Sequence, residues 1–275
     1  MAKERKRKSP DKSGYEVGPW PLFFIATGLL IAGWLMKSFP VLILVGLSPL
    51  FAIADKSHSE EKFWNYAELI LIALTLSLLA GHVFQLGYLI SAIIQAIGFT
   101  LAFVGYAFVH QSLGPRAGKV TIIIFWLAME YVFLKLQWPL DNLFLADAVQ
   151  LKTDWLNWTF YTGYLGSSLW ILIGNLFFYL AILKAGRINW AWLIIFLVSL
   201  IAPIIFSFTT ELKATQREEM IGLYSSSPNV LNSIYLKRGE FIPRTAAWIS
   251  ILIFIFALVK NKTQKNEQAH KKVSY

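Results

Sequence analysis

Glu130 stands near the middle of the apolar run 120–136 and is the only acid placed deep within such a run. A charge at the bilayer centre costs about 2.5 to 3.5 kcal/mol, so a residue of this kind faces a bundle interior or polar cavity and finds a partner there. It reads equally as a functional acid and as a tie between helices. Asn175, in the run 165–183, reads as an amide bonding across helix faces. His82 and His110 lie near the ends of apolar runs without H-E-x-x-H or any other ligand spacing, so they read as structural and imply no metal. The serines at 225–227 have neither a G-x-S-x-G context nor a loop histidine to act as base. Glu211, Glu218, Glu219 and Lys213 are suitable acids and bases, but the chain has no cysteine. That excludes a thiol nucleophile, a thiolate metal site and a disulfide.

The elements that must carry these groups are membrane helices. Of 275 residues 56% are hydrophobic, and the mean hydropathy is +0.55, outside the range of an ordinary soluble domain. A helix needs about 20 apolar residues to cross a hydrocarbon core, which leaves room for about eight spans. The expected fold is an all-α integral membrane bundle with spans near 20–36, 39–54, 67–84, 88–110, 120–136, 165–183, 190–208 and 246–259. The run from 67 to 110 would make one helix of about 66 Å, so it must fold back, and Gln85 to Gly87 offers the break. Residues 55–65 read as a charged loop, and 1–18 and 261–275 as basic tails.

The net charge of +9 follows topology rather than nucleic-acid binding, because the basic residues sit at the ends and in short loops. With the amino terminus in the cytoplasm, seventeen of the 25 Lys and Arg fall on that side. Both termini are then cytoplasmic, and the two longest loops, 137–164 and 209–245, share the outer face. The first of these holds Trp138, Trp155, Trp158, Tyr161 and Tyr164, a set that suits either an interfacial anchor or a ligand pocket. Gly163 and Gly166 bracket the start of the sixth span, where a tight turn is expected.

The stretch 158–175 carries Trp158, Tyr161, Gly163, Gly166, Ser168, Trp170, Ile171, Leu172 and Asn175 in the pattern W-x-x-Y-x-G-x-x-G-x-S-x-W-I-L-x-x-N. With FWLAMEYVFLKLQWPLDNLFLAD at 125–147, Ser48-Pro49-Leu50 and YLKRGEFIPR at 235–244, it resembles the membrane domain of bacterial apolipoprotein N-acyltransferase. The resemblance implies a place in the bacterial inner membrane, contact with phospholipid and lipoprotein, and no cofactor. In that family a nitrilase-like domain with a Glu-Lys-Cys triad, between the seventh and eighth spans, transfers an acyl chain from phospholipid to the amino group of a lipoprotein's terminal cysteine. Here 37 residues, 209–245, fill that position, too few for such a domain, and no triad residue can be carried over.

Three readings follow. The chain is a non-catalytic relative that holds lipid or lipoprotein or scaffolds a partner. Alternatively it is a subunit of N-acylation served by a separate nitrilase-like chain. Thirdly, it is a small-solute transporter using Glu130. On the first two, Glu130, Trp138, Trp155, Trp158, Tyr161, Tyr164, Asn175 and Arg244 are the candidate lipid- or partner-binding residues.

Overall fold

The computed structural model describes residues 17–36, 39–59, 63–135, 142–184, 186–225 and 239–273. Among these the secondary structure is helical throughout: α1 (Pro19–Leu35), α2 (Ile43–Gly46), α3 (Ser48–Ser59), α4 (Phe63–Gly81), α5 (Leu89–Leu113), α6 (Pro115–Lys135), α7 (Thr159–Thr162), α8 (Tyr164–Phe178), α9 (Trp190–Thr209), α10 (Ala214–Ser225) and α11 (Phe241–Val273). Short 3-10 turns occupy Pro40–Leu42, Leu86–Tyr88, Leu145–Val149 and Thr153–Trp155, and a π-helical turn, Tyr179–Leu183, ends α8. Six stretches of the described residues are long and apolar enough to cross a membrane: Pro40–Ser57, Trp64–Gly81, Leu86–Leu113, Tyr164–Leu183, Trp190–Thr209 and Phe241–Thr263. The protein is an all-α membrane protein. The apolar α1 is shorter, at 17 residues, and α6 carries Lys119, Glu130 and Lys135 within its 21.

A central group of α1, α3, α4, α5, α6 and α8 buries the core, with α9 laid against α8 and α11 against α5 and α6. The outer two helices keep most of their apolar surface exposed; only 11% of the α9 stretch and 17% of the α11 stretch is buried. Helices with that balance are lipid-facing. Stacking of Phe99 on Trp126, with centroids 4.2 Å apart, joins α5 to α6.

Where one helix was expected from 39 to 54, the chain makes a 3-10 turn, α2, a break at Leu47 and then α3. Pro49 explains the break, because its ring removes an N–H and clashes with the preceding turn. Asn175 of α8 occupies the gap. Its Oδ1 accepts from the N–H groups of Leu47 (2.7 Å) and Ser48 (3.0 Å), its Nδ2 donates to the carbonyls of Ile43 (2.8 Å) and Ile171 (2.9 Å), and the Ser48 hydroxyl donates to its carbonyl (2.8 Å).

The same logic recurs at Pro203 inside α9. Proline cannot donate to the carbonyl four residues earlier, which belongs to Ser199, and the indole Nε1 of Trp170 donates to that carbonyl at 2.9 Å. Asp55, expected in a charged loop, lies in α3, which runs on to Ser59. The hydroxyls of Tyr106 and Tyr179 both donate to its carboxylate, and the Lys119 ammonium stands 3.9 Å away. Three neighbouring elements thus give the acid a reason to remain helical.

Replacing Asn175 by Leu strands two buried N–H groups, at about 1 to 3 kcal/mol each. Thermal unfolding in detergent should show a loss of about 2 to 5 kcal/mol, against about 1 kcal/mol for Ser48→Ala, which leaves both N–H groups bonded. Equal losses would show that the amide does not hold the break.

Candidate functional site

The residues 142–149 were expected to lie in an interfacial loop. They form instead a turn tucked into the bundle, with Phe144, Leu145, Ala146, Ala148 and Val149 all buried. Irregular backbone away from water must have its polar groups bonded, and here side chains from three helices supply the bonds. Gln95 of α5 pairs with both backbone groups of Leu143, accepting its N–H at 3.1 Å and donating to its carbonyl at 3.3 Å. Glu130 of α6, with no exposed surface, accepts the Leu145 N–H at 3.0 Å and the Trp126 indole N–H at 3.1 Å, both on Oε1. The Ser168 hydroxyl of α8 accepts the Ala146 N–H at 3.2 Å. Asp147 accepts the Phe144 N–H at 2.8 Å and the hydroxyl of Tyr164. The second Glu130 oxygen, Oε2, has no hydrogen-bond partner among the described residues.

Beyond the turn, residues 154–157 are tied to the end of α9 and to α10. The Asn157 amide donates to the Ser207 carbonyl (2.9 Å), the Ser207 hydroxyl donates to the Trp155 carbonyl (2.7 Å), and Arg217 of α10 pairs with Asp154 at 2.6 Å. Gly163 (φ +76°) and Gly239 (φ +84°) adopt the left-handed backbone that only glycine takes freely. They also touch, since a Cβ on Gly239 would overlap the Thr162 carbonyl and the Gly163 Cα. That contact brings the start of α11 onto the start of α8.

Immediately after Gly239 the C-terminal end of α6 meets α11. Glu240 accepts the Tyr131 hydroxyl at 2.8 Å and pairs with the Lys135 ammonium at 3.0 Å, while that ammonium lies 5.4 Å from the Tyr131 ring. Lys135 above all, with the Tyr131 hydroxyl second, holds the Glu240 carboxyl below its usual value. Next to this cluster is a groove of ≈ 470 Å³ lined by Tyr131, Glu240, Arg244, Ala247, Trp248 and Ile251.

The candidate residues therefore separate. Glu130, Tyr164 and Asn175 are buried and bonded into the fold. Trp155 and Trp158 are half-buried; Trp158 donates to the Trp155 carbonyl at 3.0 Å and packs edge-on against Trp170. Tyr161 is 58% exposed, Arg244 lines the groove, and Trp138 lies outside the described residues. Gln95, Asp147, Tyr131 and Glu240 were missed. Two were readable as spacing: Tyr131 with Lys135 and Glu240 with Arg244 are i,i+4 pairs, which share a helix face.

Comparison with protein-family models, with curated proteins and with solved structures gives no match. The likeness to an acyltransferase membrane domain therefore stands on its quoted motifs.

Two outcomes follow. Glu130→Leu removes the acceptor for two buried donors and should cost about 2 to 5 kcal/mol in thermal unfolding, while Glu130→Gln, which keeps an oxygen for both, should lose less than half as much. Identical behaviour of the two variants would refute the bonding role. Because the Glu240 value is depressed in the folded protein, its contribution to stability is present above the ordinary carboxyl value of about 4.3 and is lost as pH falls through the lower folded value. Thermal scans on the acid side of that range should show a decline that Glu240→Gln does not share.

Proposed function

We propose that this chain is a non-catalytic membrane protein that holds phospholipid at its outer face, related to the membrane domain of apolipoprotein N-acyltransferase. The observation that carries the reading is the groove between α6 and α11. Its mouth offers Arg244 and Glu240, its wall offers Ala247, Trp248 and Ile251, and both Trp248 (61%) and Ile251 (51%) stay exposed. A charged end beside an apolar strip that opens sideways suits a lipid with its head at the membrane surface and its chains in the bilayer. Counting α1 and α6 as spans gives eight, which puts both termini in the cytoplasm of a bacterial inner membrane, as the distribution of basic residues favours.

One observation favours a second reading, in which a separate nitrilase-like chain docks and performs N-acylation. Asp154–Arg217 and Asn157–Ser207 join the residues after the buried turn to α10 and to the end of α9, which offers such a chain a tied surface to rest on. Solute transport through Glu130 gains no such support: the carboxyl has no exposed surface, and its Oε1 is bonded to the turn and to Trp126.

Native mass spectrometry of protein purified in mild detergent tests the proposal. Wild type should carry phospholipid. Arg244→Ala should lose it by about tenfold or more, because a charge-assisted bond contributes about 1.5 to 3 kcal/mol. Unchanged occupancy in the variant would refute the groove, and a co-purifying second chain would favour docking.

A further inference from the structure

Given a phospholipid in that groove, as proposed, we infer that Arg244, Lys135 and Glu240 select a headgroup of net negative charge over a zwitterionic one. The local charge is +1, from two cations and one carboxylate. The carboxylate is already engaged, because Glu240 takes both the Lys135 ammonium (3.0 Å) and the Tyr131 hydroxyl (2.8 Å). Arg244 sits one helical turn beyond Glu240, its backbone N–H bonded to the Glu240 carbonyl at 2.9 Å, and its side chain is exposed at the groove.

A phosphate monoester or diester is an anion that a guanidinium matches well, through paired N–H donors. A phosphate bearing one net charge neutralises the site. A head that also carries an ammonium brings a third cation beside Lys135 and Arg244, and the single carboxylate able to receive it is spent. The ligand's direction is set by the helix. Ala247, Trp248 and Ile251 follow Arg244 at intervals of three, four and seven residues, so the apolar wall runs along one face of α11 for about 10 Å toward the middle of the helix. The polar head is held at the end and the chain lies along the wall.

The test is reconstitution of the full chain into nanodiscs of equal phosphatidylglycerol and phosphatidylethanolamine with matched acyl chains, followed by gentle extraction and native mass spectrometry of retained lipid. Phosphatidylglycerol should exceed phosphatidylethanolamine by about fivefold, the effect of roughly one unit charge near a membrane surface. Arg244→Gln should lose retention, Arg244→Lys should restore much of it, and Lys135→Gln should release Glu240 and shift retention toward phosphatidylethanolamine. Retention of both lipids in the input ratio by wild type overturns the headgroup selection and leaves the lipid-holding reading standing. Retention of neither overturns both.

Discussion

A stretch of irregular backbone placed inside a membrane bundle must find partners for its N–H and C=O groups without water, and the turn at 142–149 does so through side chains. Gln95, Glu130 and Ser168 each reach it from a different helix. The turn is therefore a joint for α5, α6 and α8 as much as a connection between two of them. Glu130 explains itself in this setting, since an acid costly to bury is stabilised by accepting two N–H bonds that would otherwise be missing.

The rule extends to the other irregular places. Pro49 breaks the helix before α3, and Asn175 bonds the freed groups. Pro203 leaves the Ser199 carbonyl without its helical donor, and Trp170 supplies one. Asp55, within α3, stands among two tyrosine hydroxyls and Lys119. Asn175, Trp170 and Ser168 all belong to α8, so the helix richest in the acyltransferase-like motif is also the one that meets the defects of its neighbours. The exposed apolar side chains that meet Arg244 lie apart from these joints, where the C-terminal end of α6 packs beside α11.

The helical membrane fold was legible because long apolar runs have few other solutions, and the turn required at Gly163 was legible because a glycine pair stood before a span. The fold of 142–149 was not. Its aromatic and acidic residues resemble an interfacial strip, and nothing in their local order announces that Gln95, some 48 positions away, would bond the backbone. Asp55 was misplaced for a related reason: charge in a short polar stretch marks a loop, and only the approach of Tyr106, Tyr179 and Lys119 gives this half-buried acid its partners. Arg244 was found by motif, whereas the groove around it depends on α6 and α11 being adjacent.

Amide hydrogen exchange of the full chain in nanodiscs measures the buried turn most directly. The N–H groups of Leu143, Leu145 and Ala146 should exchange as slowly as those within α5 and α8, and much more slowly than those of the exposed segment around Leu151 and Tyr161. Exchange of the three at the rate of that segment would contradict the account, because it would show a turn held by water rather than by Gln95, Glu130 and Ser168.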